Sequence, residues 1–267
     1  MQKSHLIIGA VIVIVLVVGG LVARQMIARQ SETTGLDALL ESGSAHLEAG
    51  EYAEAIADLE AAVEMDPGSS EAHFLLAQVY NRSNDLLKAA DEFRTVLALD
   101  PDNAAAHHNL GVTYFQLQDP VAAAAEFKAA LKLDPDDADT HYQLGATYLV
   151  QALSGGDPAA QVNPQLLEQA VAEFEAALES RADMPEALIG MGNVFIQQAD
   201  YAAAIDALQR AIEQTPAPEA YYALGEARAR SGDTEGACEA YSRFLELDPP
   251  ATWRAQGEQS MTALGCP

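Results

Sequence analysis

The chain has 267 residues, 40 of them acidic and 14 basic, for a formal net charge of −26. A field of that sign repels nucleic acid and anionic lipid, favours basic partners and keeps the chain soluble. The chain holds no CxxC pair for a zinc ion, no Gly-rich phosphate loop and no nucleophile elbow, so nothing in it supports an enzyme or a cofactor site.

Leu6 to Ala23 is an uncharged run of 18 residues dominated by Val, Ile, Leu and Gly. As a helix it spans ~27 Å, about the hydrocarbon thickness of a bilayer. It is long for the core of a signal peptide, and Leu21-Val22-Ala23 makes a poor cleavage site. Residues 1–23 are therefore expected to be a retained transmembrane anchor, followed by a juxtamembrane linker at 24–35 that ends in Ser31-Glu32-Thr33-Thr34-Gly35. Lys3 precedes the run and Arg24 and Arg29 follow it, so flanking charge does not decide orientation. All 40 acidic side chains lie beyond Arg29 with 11 basic ones, a net −29.

Beyond the linker the residues repeat. Pro67, Pro101 and Pro135 are 34 residues apart, and so are Tyr80, Tyr114 and Tyr148. Phe93 and Phe127, Ala89 and Ala123, and Gly111 and Gly145 keep the same period. The third copy reads His107, Leu110-Gly111, Tyr114, Ala123, Phe127, Ala130, Pro135. The second reads His73, Leu76-Ala77, Tyr80, Ala89, Phe93, Val96, Pro101, and the first is a blurred version ending at Pro67. A fourth begins at His141 and Leu144-Gly145 but resumes only at Ala170 and Phe174, after 13 extra residues. The fifth carries Met191-Gly192, Phe195, Ala204 and Leu208; the sixth carries Leu224-Gly225, Ala237 and Tyr241. This order resembles the tetratricopeptide repeat, a helix–turn–helix unit that stacks into a superhelix.

The resemblance implies an all-α, right-handed superhelix of six repeats over 36–250, interrupted near 152–164. A C-terminal capping helix and tail would follow over 251–267, with Trp253, Met261 and Leu264 facing inward. Small residues such as Gly111 and Ala123 let two helices approach to ~8–10 Å, with Tyr114 and Phe127 between them. Asp-Pro at 66–67, 100–101, 134–135 and 248–249 closes the second helix, because the residue before proline leaves the helical region. Ser70, Asn103 and Asp137 are placed to cap the helices that follow. The aspartates around 134–137 lack the Gly and Glu of a calcium loop. The insertion is rich in Gly and Pro and reads as a loop.

His73, His107 and His141 recur once per repeat, ~10 Å apart when stacked, too far to share a zinc ion; packing accounts for them and no metal site is expected. Two cysteines sit near the C-terminus. From Cys238 the chain runs about 11 residues to the turn at Asp248 and about 15 on to Cys266, so antiparallel helices return both thiols to similar height. A Cys238–Cys266 disulfide is one reading, and two unrelated small residues the other. The bridge, with a short N-terminal tail kept inside, places the repeats outside the cytoplasm; the cytoplasmic side is the alternative.

In the family, ligands meet the first helix of each repeat at its second, fifth, ninth and twelfth positions. Carried over, these include Phe74 and Gln78; His108, Val112 and Phe115; Tyr142, Ala146 and Leu149; Ile189, Asn193 and Ile196; and Tyr222 and Glu226. The lining is aromatic and aliphatic with few charges, which suits a protein or peptide partner that is apolar or basic. Phe74, His108, Tyr142 and Ile189 occupy the places where a carboxylate clamp needs lysine. The function implied is a single-pass, membrane-anchored scaffold for envelope assembly or biogenesis. The alternatives are a structural envelope subunit using its convex face, or a factor for cytochrome c biogenesis or an export channel.

Overall fold

The computed structural model describes residues 35–153 and 162–267, and all regular structure among them is helical. In chain order the helices are α1 (35–49), α2 (Tyr52–Met65), α3 (Ser70–Arg82), α4 (Leu86–Leu99), α5 (Ala104–Gln116), α6 (Pro120–Leu133) and α7 (Ala138–Leu153). They continue as α8 (Pro164–Ser180), α9 (Pro185–Gln197), α10 (Tyr201–Gln214), α11 (Pro218–Ser231), α12 (Thr234–Glu246) and α13 (Ala251–Leu264). The chain divides at Pro101/Asp102 into two compact units, α1–α4 and α5–α13. The expected anchor, Leu6 to Ala23, and almost all of the linker lie outside the described residues. No described helix is long and apolar enough to cross a membrane.

The turns inside the pairs share one backbone solution. Gly50, Asn84, Gln118, Ala199 and Gly232 all have positive φ, between 59° and 91°. The next residue sends its amide back five positions: Asp85 to Tyr80, Asp119 to Tyr114 and Asp200 to Phe195, at 2.8–2.9 Å. This left-handed closure satisfies orphan carbonyls at the end of the first helix. Only two of the five positions hold glycine, although a Cβ in this conformation costs roughly 1 kcal/mol.

Between pairs, Asp66, Asp100 and Asp134 turn extended at φ −138°, −137° and −131°. That is the conformation their following prolines impose. Asn103 accepts from the Ala106 amide and Asp137 from the Thr140 amide, as expected. In the earlier turn the cap is Ser69, which accepts from Ala72, and Ser70 is already helical. Asp248 also departs from the pattern. Helix α12 stops at Glu246, and Asp248 adopts φ 53°. Pro249 and Pro250 offer no amide, so the turn closes through the Asp248 amide on Leu245 and through a pair between Arg254 and Asp248.

Each pair is held by a large side chain of its second helix laid over a small residue of its first. Phe93, Phe127 and Phe174 are fully buried, as are Leu59 and Leu208. A Cβ at Gly111 would fall 2.7 Å from the Phe127 ring, so the helices approach this closely only over glycine. Deleting a buried ring of this kind typically costs about 3–5 kcal/mol.

Helix α13 closes the last pair. Trp253 meets Phe244 at 5.2 Å and Tyr222 at 5.6 Å between ring centroids. Gly257 is buried, with Phe244 where its Cβ would be. Met261 and Leu264 are half-buried. The structure joins Cys238 on α12 to Cys266 after α13, with Cα atoms 5.6 Å apart.

Ala199→Gly is expected to raise stability by about 0.5–1 kcal/mol in urea unfolding, since it removes a Cβ from a left-handed turn; an unchanged or lower midpoint overturns that account. The Cys238–Cys266 bridge spans 28 residues, and a loop of that length is worth roughly 3–4 kcal/mol in the chain-entropy model. The denatured, natively purified chain is expected to label no thiols, and reduction to loosen α13 first by hydrogen exchange.

Candidate functional site

In the second unit the first helices touch one another in series: α5 meets α7, α7 meets α9, and α9 meets α11. No comparable contact joins its second helices α6, α8, α10 and α12 to one another among the described residues. The first helices therefore form the inner layer of that unit, and their free faces form its inner surface.

The structure separates the expected inner residues into three groups. Tyr142 remains half-buried: its ring leans on Phe174 at 6.0 Å and borders an open cavity. Together with Ile189 it lines a cavity of about 390 Å³, completed by Pro185, Glu186, Thr215, Ala217 and Glu219. Phe115 and Leu149 are half-buried and lean on the core beneath them; Asn193 is also half-buried. Ile196 is not a surface residue. It is 2% exposed and packs with Ala204 and Leu208, because the end of α9 is covered by α10. Tyr222 is also taken up by packing, lying against Tyr241, Phe244 and Trp253 at 5.3–5.6 Å. In the first unit Phe74 stands edge-on to Phe93 at 5.7 Å and Gln78 is half-buried.

His108 serves as a strut between first helices. Thr140 donates its hydroxyl to Asp137 and so accepts from His108 Nδ1–H at 2.6 Å. The ring lies edge-on to Phe127. Burial disfavours the imidazolium and lowers the His108 pKa, against a smaller upward pull from Asp137 and Asp139. Burial, reinforced by the charge of Glu186, raises the pKa of Tyr142.

The other periodic histidines tie helix pairs together. His73 Nδ1 meets Glu92 at 2.6 Å, His107 meets Glu126 at 2.7 Å, and His141 meets Glu173 at 2.7 Å. The Pro67 and Pro135 carbonyls lie 3.2 and 2.9 Å from Nε2 of His73 and His141. The sequence carried a signal for these pairs that the expected packing role missed: each glutamate stands 19 residues after its histidine, or 32 across the 13-residue insertion. Among the described residues no cluster of His, Cys, Asp and Glu has the geometry to hold a metal. The cavity's carboxylates were legible too, since Glu186 and Glu219 occupy the second position of their helices. Thr215 and Ala217 carried no such signal, because they lie in the preceding turn.

With its folded pKa lowered, His108 binds fewer protons in the fold than in the unfolded chain. Its contribution to stability is thus complete above the unfolded value near 6.5 and falls as pH drops below it towards the folded value. An NMR titration is expected to give His108 a midpoint below 6.5, and a midpoint at or above 6.5 overturns this description.

No curated protein sequence matches the chain. Among solved structures it is similar to PilF of Pseudomonas aeruginosa, at 21% identity and TM-score 0.69, covering 87% of this chain and 99% of that one. It is similar to PilW, described as a widely conserved type IV pilus biogenesis factor, at 18% identity and TM-score 0.67 over 80% and 93% of the two chains. YrrB, described as a protein with an unusual peptide-binding site, aligns at 20% identity and TM-score 0.57 over 75% and 97%. At these identities the likeness is one of fold. The sequence profile of the tetratricopeptide repeat matches residues 40–98, 82–138, 165–217 and 189–252, and the chain belongs to the tetratricopeptide repeat family.

Proposed function

We propose that this chain is a membrane-anchored scaffold that holds a protein or peptide partner on the inner face of its repeats, in envelope assembly or biogenesis. The observation that carries the reading is the half-open cavity beside Tyr142 and Ile189, where an aromatic ring and an aliphatic side chain stay accessible on the inner layer. Such anchors on rigid helices suit capture of an extended or helical segment. Leu6 to Ala23 supplies the anchor, which confines the repeats to a membrane surface and raises the effective concentration of partner complexes. The C-terminal cysteine pair supports an extracytoplasmic location. PilW, similar in fold, is by its description a pilus biogenesis factor, which supports an envelope role.

A second reading uses the outer helices. Val121, at the start of α6 in the second unit, is 72% exposed. An apolar side chain this open on a second helix suits a structural subunit docked through the opposite face.

A photocrosslinking residue at position 142, in cells, is expected to capture a partner that the same residue at position 121 does not. Tyr142→Ala is expected to keep the helical spectrum and weaken that partner's affinity by about tenfold, on the order of 1–2 kcal/mol. Capture from position 121 alone favours the outer face.

A further inference from the structure

The chemistry of the cavity narrows the class of partner, on the reading that the inner face binds a peptide. Its wall is Tyr142, Ile189, Pro185 and Ala217, and its rim carries two exposed carboxylates, Glu186 and Glu219. No lysine or arginine lines it. Arg181 donates to Asp139 at 2.6 and 3.3 Å, with Asp183 and Glu186 also within its field. Among the described residues neither Glu186 nor Glu219 takes part in a salt bridge. The site is thus an apolar slot bordered by an aromatic ring and by two exposed carboxylates that take part in no salt bridge among the described residues. An anionic ligand would meet repulsion here, and a purely apolar one would leave the carboxylates unused.

We propose that this cavity receives a lysine or arginine side chain of the bound segment, its aliphatic stem against Tyr142 and Ile189 and its cationic head between Glu186 and Glu219. Long basic side chains bury their stems on apolar surface while the head stays in water. A cation over a tyrosine face adds attraction, and a charge-assisted bond to a carboxylate is stronger than a neutral one. The partner is therefore a basic segment, matched to the net −26 of the whole chain at long range and to these two glutamates at short range.

The test uses the full-length chain in detergent and two fluorescein-labelled peptides, one with the repeat Lys-Leu-Ala-Gly three times and one with Gln replacing Lys. Binding is read by anisotropy at physiological salt, where the diffuse field is screened within about 8 Å. The lysine peptide is expected to bind about tenfold tighter than the glutamine peptide. The double variant Glu186→Gln/Glu219→Gln is expected to abolish that preference. A control pair on exposed positions of α8, Glu168→Gln/Glu175→Gln, is expected to keep it. If the first pair keeps the preference, or both pairs lose it equally, the proposal is overturned and the preference belongs to the overall charge. If the peptides bind equally and Tyr142→Ala weakens both, the inner-face reading stands and the basic side chain falls. If Tyr142→Ala changes neither, or neither peptide binds at a concentration on the order of 1 mM, both readings fall.

Discussion

The contact on which the rest depends is the large side chain of each second helix laid over a small residue of the first. Phe127 over Gly111 is the clearest case, because a single added carbon at 111 would overlap the ring. This contact sets the separation of the two helices and thereby the direction in which the first helix presents its other faces. The same residues recur once per repeat, so the same geometry recurs. Burial of these side chains contributes hydrophobic driving force, and the polar ties add direction. The His–Glu bonds join the helices of a pair at 2.6–2.7 Å, and His108 joins neighbouring first helices through Thr140.

The inner surface is a consequence of that seam. First helices in the second unit touch in series while second helices do not, so curvature gathers the first helices on the inside. Side chains at equivalent sequence positions are nevertheless treated differently. Tyr142 lines an open cavity, whereas Tyr222 is covered by Trp253 of the capping helix. The capping helix thus protects the end of the stack and covers Tyr222, while the start of α11 still reaches the cavity through Glu219. The cavity beside Tyr142 draws on α7, α9 and the start of α11, and carries Glu186 and Glu219 with no lysine or arginine.

Much of this was legible in the residues. The 34-residue period fixed the helix pairs, their order and the small-on-large seam. The Asp-Pro steps marked three of the four helix ends as observed. The fourth, Asp248, failed because two consecutive prolines leave no amide to cap the preceding helix, and the turn became left-handed. Ser69 displaced Ser70 as a cap for a reason of one-residue register, below the resolution of propensity alone. Ile196 was misplaced because the family's twelfth position faces outward only when the second helix leaves it uncovered, and α10 covers it.

By itself the sequence determined the repeat family, the order of the helix pairs and the apolar run ahead of them, and it brought Cys238 and Cys266 to similar height without deciding that they bond. All of these depend on spacing along the chain, which is local information. Only the tertiary structure decided which inner positions remain open, which histidines become struts, and that Glu186 and Glu219 meet around Tyr142 and Ile189. Those outcomes depend on contacts between helices far apart in the chain. There a side chain's fate is set by what packs over it, and neither its identity nor its register in its own helix carries that information.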